Sequence, residues 1–153
     1  MSLGGGSGVH PGLLTDTTRA NLSACWVERV EEADQLLNSG YRSMGVCLKV
    51  YALEARVKLR ICDHLGLALL PKACKTHDLS ELLIFTGLWQ ELQDPANELI
   101  FDSWDVVSGF SKRMLNNLRY EPRANLADAT TDQLIEAMDD PTRGVFAWLS
   151  RPR

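Results

Sequence analysis

The sequence predicts an all-α fold: an up-and-down antiparallel bundle of about five helices with a short extra C-terminal helix. Three observations carry that expectation. Apolar residues recur at helical spacing through most of the chain, and capping and stop residues divide it into helix-sized pieces. No convincing period-two strand and no repeat of fixed length interrupts them. The third observation is residues 43–65, a stretch apolar on two sides. Met44, Cys47, Leu48, Tyr51, Ala52, Ala55, Leu59 and Cys62 fall on one side, and Val46, Val50, Leu53, Val57 and Ile61 nearly opposite. A helix apolar on both sides is packed on from several directions. At roughly 1.5 Å per residue it is about 34 Å long, the spine of a small domain. Lys49, Arg56, Arg60 and Asp63 form its one wet strip, whereas Glu54 and Lys58 project into the apolar part.

The other elements follow in order. A first helix begins around Thr15 to Thr18, with Leu22, Trp26, Val30, Ala33 and Leu37 on its inner face and Glu28, Glu31, Glu32 and Asp34 outside. Asn38, Ser39 and Gly40 stop it, Gly40 suiting a left-handed residue. Ser43 caps the spine, which frays at Gly66; residues 66–77 are a linker punctuated by Pro71. Asp78 caps a third helix through Leu92, with Glu81 reaching back to the cap. Asp94 and Pro95 open a fourth helix reaching Tyr120, its inner face Leu99, Trp104, Val107, Phe110, Met114 and Leu118. Lys112, Arg113, Asn116 and Arg119 lie on its outer side, and Pro122 ends it. Thr130 with Gln133 reads as a further capping box, and Asp140-Pro141 restarts a short helix carrying Val145, Phe146, Trp148 and Leu149.

Length and charge narrow the function classes. The 153 residues suit one domain over 13–153, after a flexible glycine-rich leader over 1–12. A net charge of −4 argues against wholesale nucleic-acid binding but leaves room for a local basic patch. Cys25, Cys47, Cys62 and Cys74 show no CxxC pairing and read as reduced, buried thiols of a cytoplasmic protein. No apolar run approaches a membrane span, so no membrane partner is expected, and no cofactor or metal set is indicated.

Three segments resemble the HEPN domain superfamily. They are Tyr51-Ala52-Leu53-Glu54-Ala55-Arg56-Val57-Lys58-Leu59, Lys75-Thr76-His77-Asp78-Leu79-Ser80-Glu81-Leu82-Leu83, and Asn117-Leu118-Arg119-Tyr120-Glu121-Pro122. In order and separation they cover roughly residues 20–150. The resemblance implies a helical bundle, commonly a homodimer, often encoded beside a nucleotidyltransferase or acting in prokaryotic toxin–antitoxin and defence systems. Many members are metal-independent endoribonucleases whose signature is an arginine followed, after four to six residues, by a histidine. Here no histidine follows Arg119 or Arg123, and Arg60 and His64 stand on the spine, too close together. Histidine is the side chain best suited to proton transfer near neutral pH. The resemblance therefore points to a non-catalytic member that binds a partner or a nucleotide or RNA ligand, with an atypical ribonuclease as the alternative.

Glu54, Lys58, His77, Arg119 and Tyr120 are the candidate binding residues, and each has a bland reading beside the functional one. Glu54 and Lys58 form an intrahelical pair or face a ligand; burial of such a pair for stability alone is poorly rewarded. His77, just before a helix start, bonds to nearby backbone or to the Glu54 region, or contacts an anion. Arg119 complements the helix dipole or binds a phosphate or carboxylate, with Tyr120 stacking or donating beside it. The four tryptophans fit apolar faces and read as core or dimer interface.

Overall fold

The computed structural model describes residues 8–153. Residues 1–7, inside the expected leader, lie outside the described residues. Structure begins with a 3-10 turn at Pro11–Leu13 and a strand, β1 (Leu14–Thr18). Among the described residues seven α-helices follow: α1 (Arg19–Asn38), α2 (Arg42–Leu65), α3 (Leu79–Phe85), α4 (Trp89–Leu92), α5 (Glu98–Arg113), α6 (Asp128–Asp139) and α7 (Val145–Leu149). The fold is all-α apart from one small sheet, in which β1 pairs antiparallel with β2 (Leu69–Pro71).

The buried helix is where the sequence puts it. In α2, Val46, Val50, Leu53, Val57 and Ile61 are fully covered, and Cys47, Ala52, Ala55, Leu59 and Cys62 are buried on the other side. Leucines of α3, Trp104 and Phe110 of α5, Met138 of α6 and Trp148 of α7 complete the core around it. Helix α1 runs antiparallel along α2 in a steady register. Arg19 meets Asp63, Trp26 meets Arg56, Asp34 meets Lys49 and Leu37 meets Gly45. The last contact is so close that a Cβ on Gly45 would stand 2.8 Å from Leu37 Cγ.

That register overturns the wet strip. Lys49 is 2% exposed, Arg56 and Arg60 are half-buried, and only Asp63 is exposed. The strip faces α1 and the C-terminal segment: Lys49 reaches carboxylates at its edge, and Arg56 lies over the Trp26 ring and donates to the Leu149 carbonyl. Periodicity separates polar from apolar but does not distinguish a strip facing water from one facing complementary charge. Lys49 donates to Asp34 at 2.8 Å and to Asp139, tying α1, α2 and α6 together. Burial works against the ammonium, but the Asp139 and Asp34 carboxylates outweigh it and hold the Lys49 pKa above its ordinary value.

Several boundaries differ from the sequence reading. Residues 14–18, expected to start α1, form β1 instead. This threonine-rich segment pairs with Leu69 and Pro71 from the expected linker, which buries Leu70. Thr18 then caps α1 by accepting from the Asn21 N–H, and Gly40 takes the expected left-handed conformation (φ 84°). Ser43 lies inside α2 rather than capping it, because the helix already starts at Arg42. Asp78 caps α3 through the Ser80 and Glu81 N–H groups, but its own N–H is taken by Thr76, which leaves Glu81 nothing to reach back to.

The expected third helix breaks in two at Gly87, whose φ of 74° no helix interior accommodates. The expected fourth helix begins with Asp94 capping a 3-10 turn at Pro95–Asn97 and ends at Arg113, seven residues early. A 3-10 turn, Asn117–Tyr120, follows and still buries Leu118. On α5 the inward residue is Ile100, while Leu99 is 58% exposed and Met114 also reaches the surface. Helix α6 starts at Asp128, so Thr130 and Gln133 are interior positions rather than a capping box. Asp140 accepts from the Thr142 and Arg143 N–H groups in the turn leading to α7. All four cysteines are free; Cys47, Cys62 and Cys74 are buried, and burial pushes the Cys47 thiol up to about 11.

Candidate functional site

Tyr51, Glu54 and Lys58 succeed one another along one side of α2, at spacings of three and four. This side is apolar except for these tips. Lys58 is buried, and its ammonium donates to Glu54 Oε2 at 3.2 Å. The other carboxylate oxygen, Oε1, lies 2.9 Å from His77 Nδ1. The 3-10 turn at Lys72–Cys74 and the Asp78 cap fix the chain on either side of His77. The structure thus joins three of the five expected site residues in one network. Glu54 is its centre, engaged on both oxygens.

The remaining two stand one turn along. Arg119, in the Asn117–Tyr120 turn, directs Nε and Nη2 at the Tyr51 hydroxyl, both at 3.4 Å. Leu118, buried beside it, anchors this turn against the core. The hydrogen bond to Tyr51 leads the influences that raise the Arg119 pKa, with Tyr120 adding to it. Tyr120 is 87% exposed. Tyr51 is the member that sequence reasoning missed. It was assigned to an apolar face, and the available signal was its place one turn before Glu54 in the same segment.

A cleft of about 230 Å³ opens beside the network, lined by Thr76, His77, Asp78, Ser108, Ser111 and Lys112 among others. His77 therefore faces two ways: its Nδ1 is held by Glu54, and its 82% exposed ring borders the cleft. Lys112 adds a cation to the lining. Among the described residues no group of three or more His, Cys, Asp or Glu side chains is arranged to hold a metal ion. Among the described residues no helix is long and apolar enough to cross a membrane.

Chemically, the arrangement offers an oriented imidazole, a buried ion pair, a guanidinium and an uncovered aromatic ring. A carboxylate holding one ring nitrogen of a histidine fixes the ring and leaves the other nitrogen directed outward. A guanidinium beside an exposed aromatic ring suits a ligand that has both a phosphate and a base. No protein-family model, curated protein or solved structure matches the chain.

Proposed function

We propose that the protein is a non-catalytic HEPN-like binding module that takes a nucleotide or single-stranded RNA along the side of α2 bearing Tyr51, Glu54 and Lys58. The observation that carries this reading is the pair Arg119 and Tyr120. The guanidinium is held in place by Tyr51, and the neighbouring ring is left bare to solvent. In this reading Arg119 contacts phosphate, Tyr120 stacks on a base, and His77 with Lys112 contacts the ligand from the cleft. This side of α2 with the adjoining cleft is the groove of the proposal, and in it Glu54 and Lys58 hold His77 in place rather than reacting.

The same reading has the module act as a homodimer, with a nucleotidyltransferase-type protein as a further partner in a prokaryotic toxin–antitoxin or defence setting. Exposed Ile84, Phe85 and Trp89 on α3 and α4 supply apolar surface for the second copy. Native mass at micromolar concentration tests this part: a dimer supports it, and a strict monomer removes it.

One observation favours a second reading, an atypical metal-independent ribonuclease. The Glu54–His77 contact is the arrangement that orients a general base. Incubating the protein with single-stranded RNA in EDTA separates the two. Binding without cleavage supports the module. Cleavage that disappears in both His77→Ala and Arg119→Ala establishes the enzyme.

A further inference from the structure

Arg56 and Arg60 lie one turn apart on α2, each two residues beyond Glu54 and Lys58 and so about 200° around the helix from them. Both are half-buried, and the Nε of each is covered and without a hydrogen-bond partner. Arg56 is fixed from two directions. Its guanidinium lies 5.5 Å over the Trp26 ring, and its Nη2 donates to the Leu149 carbonyl at 2.8 Å. Among the described residues Arg60 makes no side-chain hydrogen bond or ion pair, and its terminal nitrogens reach the surface.

The nearby carboxylates are already engaged. Asp63 pairs with Arg19, and Glu91 pairs with Arg153. Burial lowers the Arg56 pKa; Asp63 opposes this, while the charges of Arg60 and Arg153 add to it. The two arginines stand one turn apart, with Cβ atoms about 5–6 Å from each other, and the Arg60 charge works against that of Arg56. The covered Nε of each arginine has no hydrogen-bond acceptor, and leaving a buried donor unpaired is costly.

We propose that Arg56 and Arg60 form an oxyanion site for a phosphoryl group, distinct from the groove on the other side of α2. A phosphate monoester carries about −1.5 to −2 charge at neutral pH, which matches two guanidiniums, whereas a carboxylate matches one. Its oxygens accept from the terminal nitrogens of both arginines at once, with Trp26 and the Leu149 carbonyl holding Arg56 in the receiving orientation. The source is a free phosphate or the phosphate of a nucleotide.

The test is a titration of the full chain at constant ionic strength, following the arginine Nε–Hε resonances by NMR. The probes are inorganic phosphate and AMP, with chloride and acetate as controls. The Arg56 and Arg60 signals move to saturation with phosphate or AMP and not with the controls; the tighter of the two names the source. Arg60→Gln weakens the binding by about tenfold or more, the loss of one charge-assisted contact. Arg60→Lys, which keeps the charge and loses the fork, weakens it less, and Arg119→Ala leaves it unchanged. No saturable shift, an equal response to acetate, or unaltered binding in Arg60→Gln overturns the proposal. Dependence on Arg119 instead assigns the phosphate to the groove and likewise overturns it.

Discussion

His77 Nδ1 lies 2.9 Å from Glu54 Oε1, which joins an imidazole 82% exposed to a carboxylate only 16% exposed. The two ends of this contact have unequal consequences. His77→Ala leaves Glu54 still paired with Lys58, so it costs less than about 1 kcal/mol, the scale of a solvent-exposed hydrogen bond. Glu54→Ala strands a buried ammonium and costs about 3 kcal/mol. Urea unfolding of the two variants measures the difference.

Lys49 gives a second asymmetry. Its partners Asp34 and Asp139 are both partly exposed, while its own ammonium is not. Replacing the cation with an apolar side chain, Lys49→Met, leaves two carboxylates that water reaches, and costs about 1–2 kcal/mol. Asp34→Asn combined with Asp139→Asn leaves the ammonium buried without a counter-charge, and costs about 3–5 kcal/mol. The pH dependence follows from the raised pKa. The stability Lys49 contributes is full below about 10.4, the ordinary lysine value, and is lost as pH rises through its higher folded value. Urea midpoints on the alkaline side therefore fall more steeply for the native sequence than for Lys49→Met.

Glu91 provides the acid-side counterpart. The Arg153 hydrogen bond, ahead of a smaller contribution from the Trp148 indole N–H, holds its pKa below the usual carboxylate range against partial burial. A depressed folded pKa gives stability above the unfolded value, about 4.3, that is lost as pH falls through the folded one. Glu91 is 38% exposed and solvent screens the pair, so Glu91→Gln destabilises at pH 7 by less than about 1 kcal/mol, with the difference closing at strongly acid pH. Thermal melts across that range read it.

Gly87 sets the break between α3 and α4. Its φ is 74°, and a Cβ there would stand 2.6 Å from the His64 ring. Gly87→Ala is expected to cost about 1–2 kcal/mol from the left-handed backbone alone. Because His64 is exposed and its ring can swing away, adding His64→Ala recovers only the steric part. A full recovery in the double variant would place the cost in the ring contact instead.

The buried helix was legible in the sequence because burial from several sides leaves two apolar faces, and Glu54 and Lys58 stood out as charges among them. The Glu54–His77 contact was one of the alternatives open to a histidine just before a helix start, beside bonding to nearby backbone or contact with an anion. Other features were not, because they depend on what lies opposite. Lys49, Arg56 and Arg60 read as solvated until α1 and the C-terminal segment are seen to cover them. Asp34 gave the missed signal, a carboxylate on a face taken as purely solvated. The β1–β2 pair joins segments far apart in the chain and has no local periodicity long enough to detect. The end of α5 before Tyr120 was equally hidden, since Leu118 keeps its inward position while the backbone tightens into a 3-10 turn.

The proposed groove is tested most directly by fluorescence anisotropy of a labelled single-stranded RNA titrated with the protein in EDTA, the RNA then being run on a denaturing gel. The account predicts saturable binding with the RNA intact, and a loss of about tenfold in affinity in Tyr120→Ala, the scale of one stacked base. Absence of binding, binding indifferent to Tyr120 and Arg119, or RNA cleaved in a His77-dependent manner would contradict it.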